Sequence, residues 1–189
     1  VRRVAGDGAT VSVMGGVDHP GVFPIEAPTR RLSAMLAQAG GISTPPDVAQ
    51  ISIERSGHTG RIWLQDLYDN PAADIALRPG DRIVVEEDRR SFTALGATKQ
   101  QSRVPFNTRD MSAVEALAAT GGLDSRTADP TGVFVFRDES SEVANRVLGR
   151  SDLAGPQRVA YLLDMTSAEG VFSARDFLIR DNDTIYITE

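Results

Sequence analysis

The chain reads as one module written twice. The first copy opens with a β-type run, Val11-Ser12-Val13-Met14, and meets Gly15. It then passes through His19-Pro20-Gly21 to a second apolar run and enters a helix that ends at Gly40-Gly41. The second copy has Phe92-Thr93-Ala94-Leu95, Gly96, an extended stretch around Val104-Pro105-Phe106, and a helix that ends at Gly121-Gly122. The offset is constant, since 96 − 15 and 121 − 40 both give 81. A repeat of this kind, without a catalytic signature, points to tandem binding or assembly modules.

The correspondence runs on to the end of each copy. Ile51-Ser52-Ile53-Glu54-Arg55 matches Val133-Phe134-Val135-Phe136-Arg137, and Trp63-Leu64-Gln65-Asp66-Leu67 matches Tyr161-Leu162-Leu163-Asp164-Met165; each reads as a strand. Leu77-Arg78-Pro79-Gly80-Asp81 and Ile179-Arg180-Asp181-Asn182-Asp183 then form a turn before a closing β-branched strand. Pro79-Gly80 suits a type II turn, and Asn182 can replace Gly80 because Asn tolerates positive φ.

Thr29 and Asp110 sit 81 positions apart and are predicted to cap the two helices. Leu32, Met35, Leu36 and Ala39 then form an apolar stripe, partly repeated by Ala113, Ala116 and Leu117. The Gly-Gly pairs supply the left-handed residue that ends each helix. The predicted order is β-β-α-β-β-β in each copy. The fold class is α+β, with one helix laid on a small mixed sheet in each of two tandem modules. The expected domains are a tail at 1–10, a first module at 11–90 and a second at 91–189. The second carries a polar inserted loop at 138–156, with one helical turn around 143–148. It reads either as a partner contact or as a segment without fixed structure.

At 189 residues, 41% hydrophobic and 24% charged, the chain can bury two modest cores. A net charge of −6 argues against nucleic acid, which needs a clustered basic footprint. The absence of cysteine removes disulfides and thiolate zinc sites from consideration. His19 and His58 are the only histidines and lack partners at ligand spacing, so neither a metal nor a cofactor is expected. No Ser elbow or paired catalytic carboxylates stand out, and the chain reads as a non-enzyme. Glu86-Glu87-Asp88 beside Arg89-Arg90 reads as a charged linker between modules.

The binding candidates are few. Arg55 and Arg137 recur at equivalent strand ends and suit an acidic sugar or an adjacent subunit, or else an internal salt bridge or helix contact. Arg30 and Arg31 form a basic doublet, and Trp63, with Tyr161 as its counterpart, suits either packing or stacking on a sugar. With 6% aromatic residues and no unclaimed hydrophobic stripe, the chain is expected to be a monomer or a weak oligomer on its own.

The succession of an apolar strand, Gly15, Val17, Pro20-Gly21, a helix ending in Gly40-Gly41, a strand ending in Arg55, and Leu77-Arg78-Pro79-Gly80-Asp81 resembles the soluble-ligand-binding β-grasp (SLBB) module. Gly96 and Gly121-Gly122 carry the likeness into the second copy, which departs from the family pattern at Lys99-Gln100 and Asp181-Asn182. Two such modules in tandem resemble the outer-membrane polysaccharide export proteins, the Wza-like family of capsule and exopolysaccharide exporters. The resemblance implies the periplasmic part of a ring-shaped, homo-oligomeric channel in a Gram-negative bacterium. Its implied partners are a polysaccharide, further copies of itself and an inner-membrane copolymerase of the tyrosine-kinase type. It also implies that the export-signature domain and the membrane-crossing segment lie outside this chain, so that the chain alone does not insert in a membrane. The alternative is a saccharide-binding or sensing β-grasp protein without a conduit role.

Overall fold

The computed structural model describes residues 9–189. The chain divides after Asp88 into two compact units. The first runs β1 (Thr10–Gly15), β2 (Gly21–Pro24), α1 (Leu32–Gln38), β3 (Ala49–Arg55), β4 (His58–Trp63), α2 (Leu64–Asp69), a 3-10 turn (Pro71–Ala73) and β5 (Arg82–Glu87). Its sheet has the order β2-β1-β5-β3-β4, with β1 and β5 parallel and the other pairs antiparallel. Val11 and Val13, Ile83 and Val85, and Ile51 and Ile53 point to one face, where Leu32, Met35, Leu36 and Ala39 of the α1 turn region close the core. Each such aliphatic side chain contributes about 1.5–3 kcal/mol by leaving water.

The second unit repeats this plan with additions. It runs β6 (Ser91–Gly96), β7 (Ser102–Pro105), β8 (Met111–Ser112), α3 (Ala113–Ala119), β9 (Val133–Glu139), α4 (Ser141–Leu148), β10 (Gln157–Leu163), α5 (Ala168–Asp176), β11 (Leu178–Ile179) and β12 (Thr184–Ile187). Its five-stranded sheet, β10-β9-β12-β6-β7, repeats the strand order and pair directions of the first, read from the opposite edge. The α+β class and the tandem β-grasp-like architecture are those expected from the sequence.

Two glycine landmarks have a shared physical cause. Gly15 and Gly96 adopt φ of +87° and +84°, and a Cβ on either would lie 2.0 Å from the carbonyl oxygen of Val85 or Ile187 in the parallel neighbour strand. No other residue fits both the dihedral and the space. The turns behave as the sequence suggests, with Gly80 and Asn182 both at positive φ.

Four local expectations are corrected. Thr29 and Asp110 do not cap helices: Thr29 closes a turn with Glu26, and the Asp110 carbonyl accepts from Thr108 Oγ1. Helix α3 is capped instead by Ser112 and Glu115, which satisfy each other's backbone N–H groups. At α1 the cap residue Arg31 offers no side-chain acceptor, and Asp74 supplies one from a distant loop. Ser33 N donates to Asp74 Oδ1 at 2.9 Å and Ser33 Oγ to Asp74 Oδ2 at 2.8 Å.

The segment Trp63 to Leu67 is the end of β4 followed by α2, not a strand, so each unit holds a further helix, α2 or α5, between its last hairpin strand and its closing strand. The β3–β4 hairpin turns on Ser56 and Gly57, both at positive φ, as a two-residue hairpin requires. Its counterpart in the second unit is the inserted segment, which holds the two-turn helix α4, longer than the single turn expected. Ser140 Oγ accepts from Val143 N, Gly149 ends the helix in the left-handed region, and the Asn145 amide ties it to Leu153 in both directions.

Candidate functional site

In each unit a strand arginine is fastened to the aspartate of the closing turn. In the first, Arg55 Nε and Nη2 donate to Asp81 Oδ1 and Oδ2 at 2.8 and 2.6 Å. Nη2 also donates to the Ala76 carbonyl at 2.9 Å, and Arg78 N reaches Asp81 Oδ2 at 2.8 Å. In the second, Arg137 makes the same fork to Asp183 at 2.8 and 2.6 Å, with Nη2 also on the Leu178 carbonyl and Arg180 N on Oδ2. Both aspartates are 1% exposed. The latch joins the end of β3 or β9 to the turn entering β5 or β12, and two parallel N–H···O bonds fix its geometry as well as its charge.

The electrostatics follow. Burial pushes the Asp81 carboxyl up, but the Arg55 guanidinium and the Arg78 amide outweigh it and hold the group below the ordinary carboxylate value. Burial likewise works against the Arg137 charge, and the hydrogen bonds and charge of Asp183, helped by Glu139, overcome it and raise the group further. In both units the aspartate's two oxygens are engaged in fastening the closing turn to the strand.

The second unit elaborates its latch. Arg137 Nη1 lies 3.6 Å from Glu139, which also receives Tyr161 Oη at 2.8 Å and Arg180 Nη1 at 3.2 Å. The Arg137 guanidinium lies over the Tyr161 and Phe177 rings, 5.6 and 4.9 Å from their centroids, and those rings meet edge to face. Burial pushes the Tyr161 phenol up, and its bond to the Glu139 carboxylate pushes the same way. Glu139, Tyr161 and Phe177 were not among the sequence candidates. The alternation Arg137-Asp138-Glu139, which keeps Glu139 on the arginine's face of an unbroken strand, is the signal that points to it.

The remaining candidates lie apart from the latches. Arg31 is exposed and donates through Nη1 to the Asp74 carbonyl at 2.7 Å. Arg30 borders a cavity of about 300 Å³ with Ile25, Leu77 and Pro79. Trp63 is half-buried opposite Gln50 at the end of β4. Register also corrects its pairing with Tyr161: Tyr161 faces Val135, whose counterpart Ile53 faces Gly60, so Gly60 holds Tyr161's place in the first unit. Among the described residues no group of three or more His, Asp or Glu side chains is placed to hold a metal ion.

A second feature lies on the outer face of the second sheet. Leu162 pairs with Phe134, Phe134 with Tyr186, and Tyr186 with Leu95, which makes one apolar row across four strands. Phe136 stacks on Phe134 at 6.0 Å, and Leu162, Phe136, Tyr186 and Leu95 are 40–58% exposed. The expectation of no unclaimed hydrophobic stripe is therefore corrected. The equivalent row of the first unit is Arg61, Ser52, Val84 and Met14, polar at one end.

The sequence model of the SLBB domain matches residues 9–85 and 90–187. The chain belongs to the SLBB domain family. Each SLBB match falls within one structural unit, so the repeat in sequence, in fold and in family is the same repeat. The chain is also similar to three export proteins. It is 32% identical over its whole length to the Vi polysaccharide export protein VexA/TviF of Salmonella typhi, covering 51% of that protein. It is 28% identical over its whole length to the capsule polysaccharide export outer membrane protein CtrA of Neisseria meningitidis serogroup A, covering 50% of it. With the capsule polysaccharide export protein BexD of Haemophilus influenzae it shares 25% identity over 88% of this chain and 44% of the relative. The chain spans about half the length of these curated relatives. Among the described residues no helix is long and apolar enough to cross a membrane.

Proposed function

We propose that this pair of SLBB modules is the periplasmic, non-catalytic part of an outer-membrane protein that exports a capsular or related polysaccharide. The observation that carries this reading is the whole-chain similarity to VexA/TviF and CtrA, which takes in both modules and the segment joining them. The chemistry agrees with it. The strongest polar clusters in both modules are arginine–aspartate latches that tie a strand to the closing turn, as suits a rigid scaffold. In this reading the full protein assembles with copies of itself around the polymer's path and meets an inner-membrane copolymerase. The apolar row of the second sheet forms part of the contact between copies.

The test is an in-frame deletion of these two modules from the full-length protein in its native host. Polysaccharide is then measured on the cell surface and in the periplasm. The expected result is loss of surface polymer with accumulation inside the envelope. Undiminished surface polymer would sink the reading.

A further inference from the structure

The two SLBB modules build the same latch but enclose it differently. In the second, the module's own side chains fill the space around Arg137: the Tyr161 ring, the Phe177 ring and the Glu139 carboxylate. The first module lacks all three. Gly60 stands in the place of Tyr161 by strand register. Ile75 replaces Phe177, since the carbonyls of both accept from the first amide of the module's first helix, Leu32 N of α1 and Ala113 N of α3. Gly57 stands two residues past Arg55, where the second module has Glu139 two residues past Arg137.

The result is a cavity of about 320 Å³, lined by Ile53, Gly60, Ile62 and Ile75, with Arg55 and His58 as polar side chains. Arg55 is correspondingly more open than Arg137, its side chain 28% exposed against 7%. Its Nε and Nη2 are taken by Asp81 and Ala76, whereas Nη1 has no acceptor among the described residues. The charge count differs in the same sense. The Arg137 and Arg180 guanidinium groups meet two carboxylates, Asp183 and Glu139, whereas the Arg55 guanidinium meets only Asp81 and the contact from Arg78 is its backbone amide.

We propose that this cavity binds a small aromatic carboxylate. Its ring takes the place that Tyr161 and Phe177 occupy over the second module's guanidinium, and its carboxylate takes the place of Glu139 on the open Nη1 donor. The volume is at the lower end of the range for small-molecule sites, enough for one or two fused rings. A sugar ring suits it poorly. Each hydroxyl turned against Ile53, Ile62 and Ile75 would lose its water without gaining a hydrogen-bond partner.

The test is a titration of 2-naphthoate into the 189-residue chain, followed by amide chemical shifts. The expected result is saturable shifts at His58, Gly60, Ile62 and Ile75, with 2-naphthalenemethanol, the neutral analogue, binding about tenfold more weakly. Gly60→Tyr fills the space as Tyr161 does and should abolish binding. The site admits it, because Gly60 lacks a positive φ and a Cβ there meets no atom within 4 Å. Ile75→Phe fills the cavity from the other wall and serves if Gly60→Tyr fails to fold. Absence of saturable binding at about millimolar probe, shifts centred elsewhere, equal affinity for the neutral analogue, or binding that survives both filling variants would each overturn the proposal.

Discussion

Asp81 shows how one side chain carries both structure and pH dependence. It is 1% exposed, accepts the Arg55 fork and the Arg78 amide, and is held below its ordinary value of 3.8. A carboxyl whose native pKa is depressed binds protons more readily in the unfolded chain, so its contribution is full above that ordinary value. The contribution falls away as pH drops through the lower native one. Asp81→Asn should therefore cost the first module about 2–4 kcal/mol at neutral pH and flatten the acid limb of its stability curve, read from hydrogen exchange at β3 and β5 amides. A stability loss that is the same at pH 7 and pH 3 would remove the latch from the account. Asp183→Asn should cost a comparable amount, about 2–4 kcal/mol: Arg137 is more enclosed than Arg55, but it keeps Glu139 at 3.6 Å as a second charged partner. Much of this was legible in the sequence. The recurrence of Arg55 and Arg137 at one repeat position, with a turn aspartate at another, allowed an internal salt bridge from the start. The rings over Arg137 were not legible, because Tyr161 and Phe177 meet it only through strand register and a helix end that sequence spacing does not give.

At the scale of elements, the repeat located the strands other than Trp63–Leu67, the C-terminal ends of α1 and α3, and the closing turns, because these depend on residues close together in sequence. Gly40-Gly41, Gly121-Gly122, Pro79-Gly80 and Asn182 each act where they stand. The start of α1 escaped for the opposite reason. Its acceptor, Asp74, lies 41 positions from Ser33, and no window around the helix contains it. The two modules have thus solved the same problem differently, α3 with a local box and α1 with a long-range cap. The consequences of mutation should differ in kind. Ser112→Ala removes a local cap and should cost about 1 kcal/mol without loosening any other element. Asp74→Ala should cost about 0.5–2 kcal/mol and also free the 3-10 turn and the segment leading to β5, since the same residue accepts Arg31 Nη1 through its carbonyl and Ser33 through its carboxylate. Hydrogen exchange resolves the two cases: protection confined to α3 in the first, and loss spreading to Ile75 and Leu77 amides in the second. If Asp74→Ala affected α1 alone, the long-range cap would be an independent helix cap with no coupling to the loop.

On the scale of the whole molecule, the decisive contrast is between two sheets of one topology with different outer faces. Val133-Phe134-Val135-Phe136 is apolar at every position and reads as a strand buried on both sides, yet only Val133 and Val135 enter the core. Phe134 and Phe136 join Leu162, Tyr186 and Leu95 on the far face, where no helix of that module covers them. Sequence alternation cannot separate a doubly covered strand from one whose second face awaits a partner. A contiguous exposed patch of this kind on an isolated domain marks an interaction surface. The first module has Arg61 and Ser52 at the corresponding positions, so two copies of the chain would meet through their second modules rather than their first. The chain should accordingly show a mass that rises with concentration in light scattering. The contact would be weak, because one sheet row falls short of the roughly 1,000 Å² expected of a stable interface. Phe136→Ser combined with Tyr186→Ser removes the two most central exposed rings without touching the core, and should hold the mass at that of one chain of 20.3 kDa throughout. Self-association that persists unchanged in the double variant would locate the contact elsewhere. A wild-type chain that stays at one copy at every concentration would rule out self-association through this row.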